Sequence, residues 1–327
     1  MTSGDVLDHI GVYAFAWGAQ PPAIGDAIKV AIIADDLGFD SVHVPWHFTL
    51  SEKSFSWGNR RTIDPLVLLP TWIAHTQRVK VALDPWPPSL MHPYFWAQFL
   101  SSLHYMSGGR TMTGVREAWW EEDYLVAQAD RVGAEERFDR CLEIVTRLWA
   151  GETLNGSDIP EWELGDIALD PGPGAPIPLW INGRAEEDIR RAARWGDTLR
   201  PLFANVDEIR PLRDQLSAAS AAFNRHVSLA DSTICTVILP TDSSSWVDSQ
   251  VHAALERRLH GREVGDSLII GSPQQCAERL SALAEAGIDY FLLDTQFHGW
   301  QTPEFSAEQL RRFVEHVVPL VDWADRP

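Results

Sequence analysis

Cysteine is scarce in this chain: Cys141, Cys235 and Cys276 are the only three in 327 residues. They are far apart and include no C-x-x-C pair, so neither a disulfide framework nor a thiol-based metal or redox centre is indicated. Cys141 and Cys276 fall in helical patterns and read as small core residues. No stretch approaches the ~20 apolar residues that span a bilayer, and no basic segment precedes the first apolar run as a secretory signal requires. The expected setting is a reducing cytoplasm with no membrane partner. Positive charge is also short, with 27 basic against 46 acidic residues and a net charge of −19. Binding to nucleic acid rests on phosphate neutralisation by Lys and Arg, so that class of partner is excluded. The acidity itself reads as solubility. Three motifs are missing as well. No G-x-G-x-x-G follows the first strand, no G-x-S-x-G marks a hydrolase nucleophile, and no H-E-x-x-H or other tight His/carboxylate pair suggests a metal.

Tryptophan, by contrast, is abundant at fifteen residues, in a chain of otherwise ordinary globular composition, 45% hydrophobic and 22% charged. Apolar strand-like runs alternate with helix-like segments from end to end. Strands are expected at 9–15, 41–46, 78–83, 111–116, 178–182, 198–203, 232–239 and 289–294. Helices are expected at 21–37, 65–75, 93–106, 134–149, 186–195, 207–223, 273–286 and 307–321. Ser272 with Gln275 reads as a capping box, Pro273 sits at the first helical position, and Gly287 follows the end. Eight strands separated by helices, with no consecutive hairpins, point to a parallel sheet. In a chain of this length they fit one (β/α)₈ barrel domain over 1–327, with loop insertions; a doubly wound open sheet is the alternative. The Gly/Pro-rich segment 165–178 reads as a loop, because the alternation continues past it.

Barrel chemistry sits where strands run out at their C-terminal ends. That rule selects Trp17; Trp46 and His47; Leu83, Asp84, Pro85 and Trp86; Arg116, Glu117, Trp119 and Trp120; Asn182, Gly183 and Arg184; and Asp294, Thr295 and His298. Such a mouth is aromatic, with histidines, carboxylates and arginines, and suits a flat aromatic ligand with an anionic tail. An apolar or aromatic substrate would face Trp17, Trp86, Trp119, Asp294 and His298.

The runs 34-ADDLGFDSVHVPWHF-48, 64-DPLVLLPTWIAHTQRVKVAL-83, 107-SGGR-110, 119-WWEEDY-124 and 135-EERFDRCLEIVTRLWAGE-152 together resemble the bacterial luciferase-like superfamily. So do 177-IPLWINGRAEEDIRRAARWGD-197 and 271-GSPQQCAERLSALAEAGID-289. The resemblance covers nearly the whole chain in order and implies a (β/α)₈ barrel that binds reduced FMN or the deazaflavin F420 at the strand C-termini. FMN members are mostly two-component monooxygenases, in which a separate flavin reductase supplies FMNH₂ for reaction with O₂. F420 members pass a hydride and do not activate oxygen. A homodimer is the family-level expectation. The first expectation here is an FMNH₂/O₂ monooxygenase acting on a small organic substrate. An F420-dependent oxidoreductase is the alternative, and a non-catalytic flavin-binding relative is the third.

Several residues take roles on that resemblance. His47, in 45-PWHF-48, is the candidate proton relay, since imidazole titrates near neutrality; a structural histidine at a strand end is the competing reading. Trp46 stands where relatives carry an acid or histidine. Arg116 and Ala118 replace two glycines of a Gly-Val-Gly-x-Gly-Trp pattern, so that Arg116 or Glu117 either reaches into the site or pairs outward. At the turn after strand five, Asn182, Gly183, Arg184 and Ala185 stand where relatives show a cofactor-phosphate site at a helix N-terminus. Ala185 replaces a serine there, and Arg184 could compensate with a charge-assisted fork to phosphate or pair with Glu187 or Asp188. Asp294 and His298 could line the substrate side, or instead cap a helix or hold a salt bridge. Superfamily members often bulge the end of strand three with a cis peptide. Here that bond falls on Asp84–Pro85, where proline lowers the cis cost to ~0.5–1 kcal/mol, and its backbone is expected against the cofactor ring.

Overall fold

A computed structural model of the chain describes residues 6–14, 24–46, 63–118, 120–159, 165–201, 205–232, 235–238, 268–295 and 303–321. The first half runs β1 (Ile10–Tyr13), α1 (Ile24–Leu37), β2 (Ser41–Val44), α2 (Pro65–His75), β3 (Lys80–Trp86), α3 (Pro93–Met106), β4 (Thr111–Val115), α4 (Glu121–Ala127) and α5 (Ala134–Trp149). The second runs β5 (Leu179–Asn182), α6 (Glu186–Trp195), β6 (Thr198–Arg200), α7 (Val206–Ala221), β7 (Ser228–Ser232), β8 (Cys235–Ile238), β9 (Leu268–Gly271), α8 (Pro273–Ala286), β10 (Tyr290–Asp294) and α9 (Pro303–Arg312). Strands β1 to β7 pair in sequence order, and β10 joins β7 back to β1. All of these pairings are parallel. The result is the expected closed (β/α)₈ barrel.

Local chemistry explains where the helices begin. Asp64 caps α2 by accepting from the Leu66 N–H at 2.9 Å, with Pro65 at the first helical position. Ser272 and Gln275 form the expected box at α8. In α5 the buried residues Ala134, Phe138, Cys141, Leu142, Val145 and Leu148 recur at helical spacing and turn one stripe to the barrel. Among the described residues no helix is long and apolar enough to cross a membrane.

The seventh strand departs from expectation. Of the run expected at 232–239, only Ser232 pairs within the barrel among the described residues. Residues 235–238 instead pair with β9 in a separate two-stranded parallel sheet. The weaker segment Ser228–Ser232 closes the barrel, bringing small Ala230 into register with the bulky Tyr290. A strand signal thus measured β-propensity, which does not choose the partner.

Alternation sorts every barrel strand into two faces. Val81, Leu83, Phe291 and Leu293 point outward into the helix layer and its main apolar core. Tyr13, Ala82, Met112, Trp180, Ala230 and Leu292 fill the barrel interior. Parallel register carries the inward set onward to Ser41, His43, Asn182, Arg200 and Asp294. Asp84, two residues beyond Ala82, completes this polar inner wall.

Candidate active site

Asp84 is the last inward residue of β3 before the strand bulges, and it is fully buried. Its carboxylate has three side-chain partners. His43 Nδ1 lies 2.8 Å from Oδ2, Asn182 Nδ2 donates to Oδ1 at 2.7 Å, and Arg200 Nη2 donates to Oδ1 at 3.2 Å. Arg200, also fully buried, donates through Nε to the Asn182 Oδ1 and through Nη1 to the Tyr13 hydroxyl. The guanidinium also lies over the Tyr13 ring, 5.2 Å from its centroid. Five strands, β1, β2, β3, β5 and β6, therefore meet in one hydrogen-bonded floor beneath the barrel mouth.

Room for this floor comes from a missing side chain. A Cβ on Gly114 would lie 1.8 Å from Asp84 Oδ1 and 2.7 Å from Asn182 Nδ2. Gly11 does the same lower down, where a Cβ would meet Ser41 Oγ at 2.3 Å. Both glycines are explained by close approach of a polar neighbour.

The charges on the floor are set by burial against pairing. Burial opposes ionisation of Asp84, but Arg200, His43 and Asn182 outweigh it and hold the carboxyl below its ordinary value. For Arg200, burial opposes the charge, while Asp84 and Tyr13 more than restore it. Burial dominates at His43 and lowers its pKa despite Asp84, so the imidazole is neutral. An ionised Asp84 can only accept, hence Nδ1 carries the hydrogen and Nε2 faces Ser41 Oγ at 2.7 Å. Burial pushes the Tyr13 hydroxyl well above the usual tyrosine range. At the rim, burial lowers the half-buried Arg116 to about 9, with Arg200 acting the same way against Asp188.

The expected site residues separate into those the structure brings together and those it does not. Asp84 and Asn182 are central to the floor, and Asp294 joins them as a buried inward residue at the end of β10, in register with Tyr13. The Asp84–Pro85 bond is cis, as expected from sequence, and the Pro85 carbonyl accepts from the Trp46 N–H at 2.9 Å. The half-buried Trp46 side chain leans on the main apolar core. Leu83 and Trp86 point the other way. The register slips between them, and the bulge turns Trp86 outward against Trp96 of α3 rather than along a pocket wall.

Glu117 also turns away from the floor. Its Oε1 accepts from the Ser89 hydroxyl, from the Tyr124 hydroxyl at 2.6 Å and from the Ala118 N–H at 2.9 Å. These contacts brace the loop between β4 and α4, the outward pairing that was one of the two expectations for Glu117. The expected phosphate turn is similarly engaged. Arg184 donates to both Glu208 oxygens at 3.1 Å, rather than to Glu187 or Asp188. Ala185 is the N-cap of α6, and its N–H donates to Asp188 Oδ2 at 3.0 Å. Gly183, at φ +147°, leaves space that the Asp188 carboxylate fills. An acid thus occupies the helix terminus at which an anionic tail was expected. His47, Trp17, Trp119 and His298 lie outside the described residues.

Tyr13, His43 and Arg200 were not anticipated. Their signal was the period-two pattern itself: Ser41 and His43 on one face of β2, and Arg200 two residues after Thr198 on β6. No group of three or more His, Cys, Asp or Glu among the described residues is arranged to hold a metal.

Comparison with known proteins agrees with this architecture. The family model described as luciferase-like monooxygenase matches residues 10–267. An FMNH₂-dependent dimethylsulfone monooxygenase from Pseudomonas putida is 24% identical, with 90% of this chain and 86% of that protein covered. An F420-dependent glucose-6-phosphate dehydrogenase from Kribbella flavida is 23% identical over 90% of this chain and 94% of its own. Among solved structures, the oxygenating constituent of 3,6-diketocamphane monooxygenase from Pseudomonas putida, in complex with FMN, superposes with a TM-score of 0.75 at 17% identity. That match covers 97% of this chain and all of the other.

Proposed function

The chain belongs to the luciferase-like monooxygenase family and is an oxidoreductase, and from that premise we propose that it is an FMNH₂- and O₂-dependent monooxygenase served by a separate flavin reductase. Relatives of both cofactor types align over 90% of the chain, so the reading rests on the site as well as the family. The observation that carries it is the sealed charged floor. Asp84, Asn182 and Arg200 are each at most 1% exposed and lie directly beneath the strand C-termini. A floor of this kind excludes water and fixes dipoles under a ligand, two conditions that protect oxygen chemistry from side reactions.

The residues present fit a flat anionic cofactor at one side of the mouth. Arg116 would hold the anionic tail, as a cation in a site where burial strengthens its attraction. The backbone at Pro85 would bound the ring, and Asp294 with Tyr13 would face the substrate. When bound, reduced FMN supplies two electrons and an oxygen-reactive ring. The chain's own residues orient the ligand and hold a proton at His43 Nδ1, shared with Asp84. F420-dependent hydride transfer is the second reading, and the Kribbella relative favours it to the same extent by coverage.

Titration of the purified protein with FMN, FMNH₂ and F420, followed by oxygen uptake after mixing the reduced complex with air, separates the readings. Tight FMNH₂ binding with oxygen consumption is expected. Tight F420 binding without oxygen consumption would replace the first reading with the second.

A further inference from the structure

The polar floor does not end at His43. His43 Nε2 lies 2.7 Å from Ser41 Oγ, and Ser41 Oγ lies 2.5 Å from the Tyr290 hydroxyl. The Tyr290 hydroxyl in turn lies 2.8 Å from Asp40 Oδ2, and Asp40 Oδ1 is 2.7 Å from Lys80 Nζ. Asp84 stands at the C-terminal end of β3, whereas Lys80 opens the same strand, so the row descends the barrel from mouth to base. Four residues of strand at ~3.3 Å each make that about 13 Å. His43 and Asp84 are essentially inaccessible at the top, while the Lys80 side chain is 42% exposed and that of Asp40 13% exposed at the bottom. A (β/α)₈ interior is ordinarily filled by layers of bulky apolar side chains. This one carries a continuous hydrogen-bonded row beside its apolar side chains.

Counting hydrogens shows what is unusual about the row. Between Asp84, His43, Ser41, Tyr290 and Asp40 there are four contacts. With both carboxylates ionised and His43 neutral, the imidazole, the serine and the tyrosine supply one hydrogen each. Three hydrogens cannot fill four contacts. One added proton fills all of them: Asp40 donates to Tyr290, Tyr290 to Ser41, Ser41 to His43 and His43 to Asp84. Each of these hydrogens can then shift one place along the row without movement of a heavy atom. The added proton ends as the O–H of Asp84, and every inner group regains its starting number of hydrogens.

We propose that Asp84–His43–Ser41–Tyr290–Asp40 is a proton wire that connects the floor of the active site to solvent at the opposite face of the barrel. Solvent water at the base is the proton source, entering beside Asp40 and Lys80. Among the described residues, few charged or polar groups outside the row face it. Arg200 and Asn182 face Asp84, while Tyr13, Trp180 and Arg200 lie against His43. Asp40 and Lys80 face Tyr290 at the base. The wire enters at the end of the barrel remote from bound ligand, so protons can reach the floor while the mouth is closed. It holds for either cofactor and does not rest on the reading above.

Exchange of the His43 ring proton with water, followed by NMR on the ligand-free ¹⁵N-histidine-labelled protein, tests it directly. The backbone amides of Val42 and Val44, in a uniformly labelled sample, report how often β2 opens. In the parent, the ring proton is expected to exchange at least about tenfold faster than those amides, since conduction needs no opening. Tyr290→Phe removes the hydroxyl and keeps the ring against Trp180, and should slow the ring proton towards the amide rate. Asp40→Asn should do likewise from the base, and serves alone if Tyr290→Phe does not fold. A ring proton no faster than the Val42 and Val44 amides would overturn the wire. So would an unchanged ring-proton rate in a folded variant with unchanged amides. A purely structural network leaves the ring proton tied to strand opening in all three proteins.

Discussion

Replacing Arg200 with methionine, which roughly keeps its length and removes its charge, isolates the ion pair on which the floor depends. Both partners are fully buried and their closest atoms are 3.2 Å apart. At an effective dielectric of ~20, Coulomb attraction over that distance is about 5 kcal/mol. Breaking one side of a buried pair typically costs ~3–5 kcal/mol, because the other charge is left without a partner. The remaining charge has an escape, however. Without Arg200, burial raises the Asp84 carboxyl, and the Asp84–His43 pair can take up one proton that the parent protein excludes. The variant's native state then binds one more proton than the parent's, while the two unfolded chains titrate alike. The stability difference should therefore shrink as pH falls, by up to ~1.4 kcal/mol per pH unit. Urea unfolding of both proteins at intervals from pH 8 to pH 5 measures it. A difference of ~3–5 kcal/mol at pH 8, falling to ~1 kcal/mol or less near pH 5, is expected. A difference below ~1 kcal/mol at pH 8, or one that does not change with pH, would refute the reasoning, since a buried pair of this kind allows neither.

Further expectations concern neighbouring residues. Gly114→Ala places a Cβ 1.8 Å from Asp84 Oδ1, and the shift this forces should cost ~1–3 kcal/mol or more in urea unfolding; a change within the error of the parent would mean that Asp84 is not held there. Arg184→Ala removes only the partly exposed pair with Glu208, so stability should change by at most ~1 kcal/mol and FMN affinity should stay the same, whereas Arg116→Ala should weaken FMN binding by about tenfold, as loss of a charge-assisted contact does. Both are read by fluorescence titration. Glu117→Ala should cost ~2–3 kcal/mol through the lost Ser89 and Tyr124 contacts while leaving FMN affinity unchanged, and a loss of affinity at full stability would return Glu117 to the ligand site. In the parent protein, buried His43 titrates below its unfolded value, so the unfolded chain binds the proton first and stability should fall as pH drops below ~6.5, with Asp84 adding a further loss only below ~4. Melting temperatures that hold steady from pH 7.5 to 5 would contradict a neutral native His43.

How far the sequence could be read depended on which period was followed. The helix start at Ser272-Pro273 was legible because a cap is decided by a few adjacent residues, and the order of barrel strands followed from regular alternation. The stop of β3 was legible in its prolines, whereas the cis bond at Asp84–Pro85 was expected from the family resemblance. The strand-end rule also reached Asn182 and Asp294. It failed at Trp86, where a register slip turns the side chain outward, and that slip is not visible without the partner strand. It failed more broadly by stopping at the strand ends. Within SVHV, Ser41 and His43 share a face, as Ala82 and Asp84 do on β3 and Trp180 and Asn182 on β5. Strands of a parallel barrel are buried on both faces, so a polar residue at alternate positions needs a buried partner. Several such strands in one chain imply that the partners are one another. The glycines at 11 and 114 follow from the same logic, because polar side chains that meet across a closed barrel need space that only a missing Cβ provides. Lining up the inward residues strand by strand, rather than collecting strand ends, would have drawn the row from Asp84 as far as Tyr290 before any coordinates, whereas Asp40 precedes β2 and is out of step with its inward face.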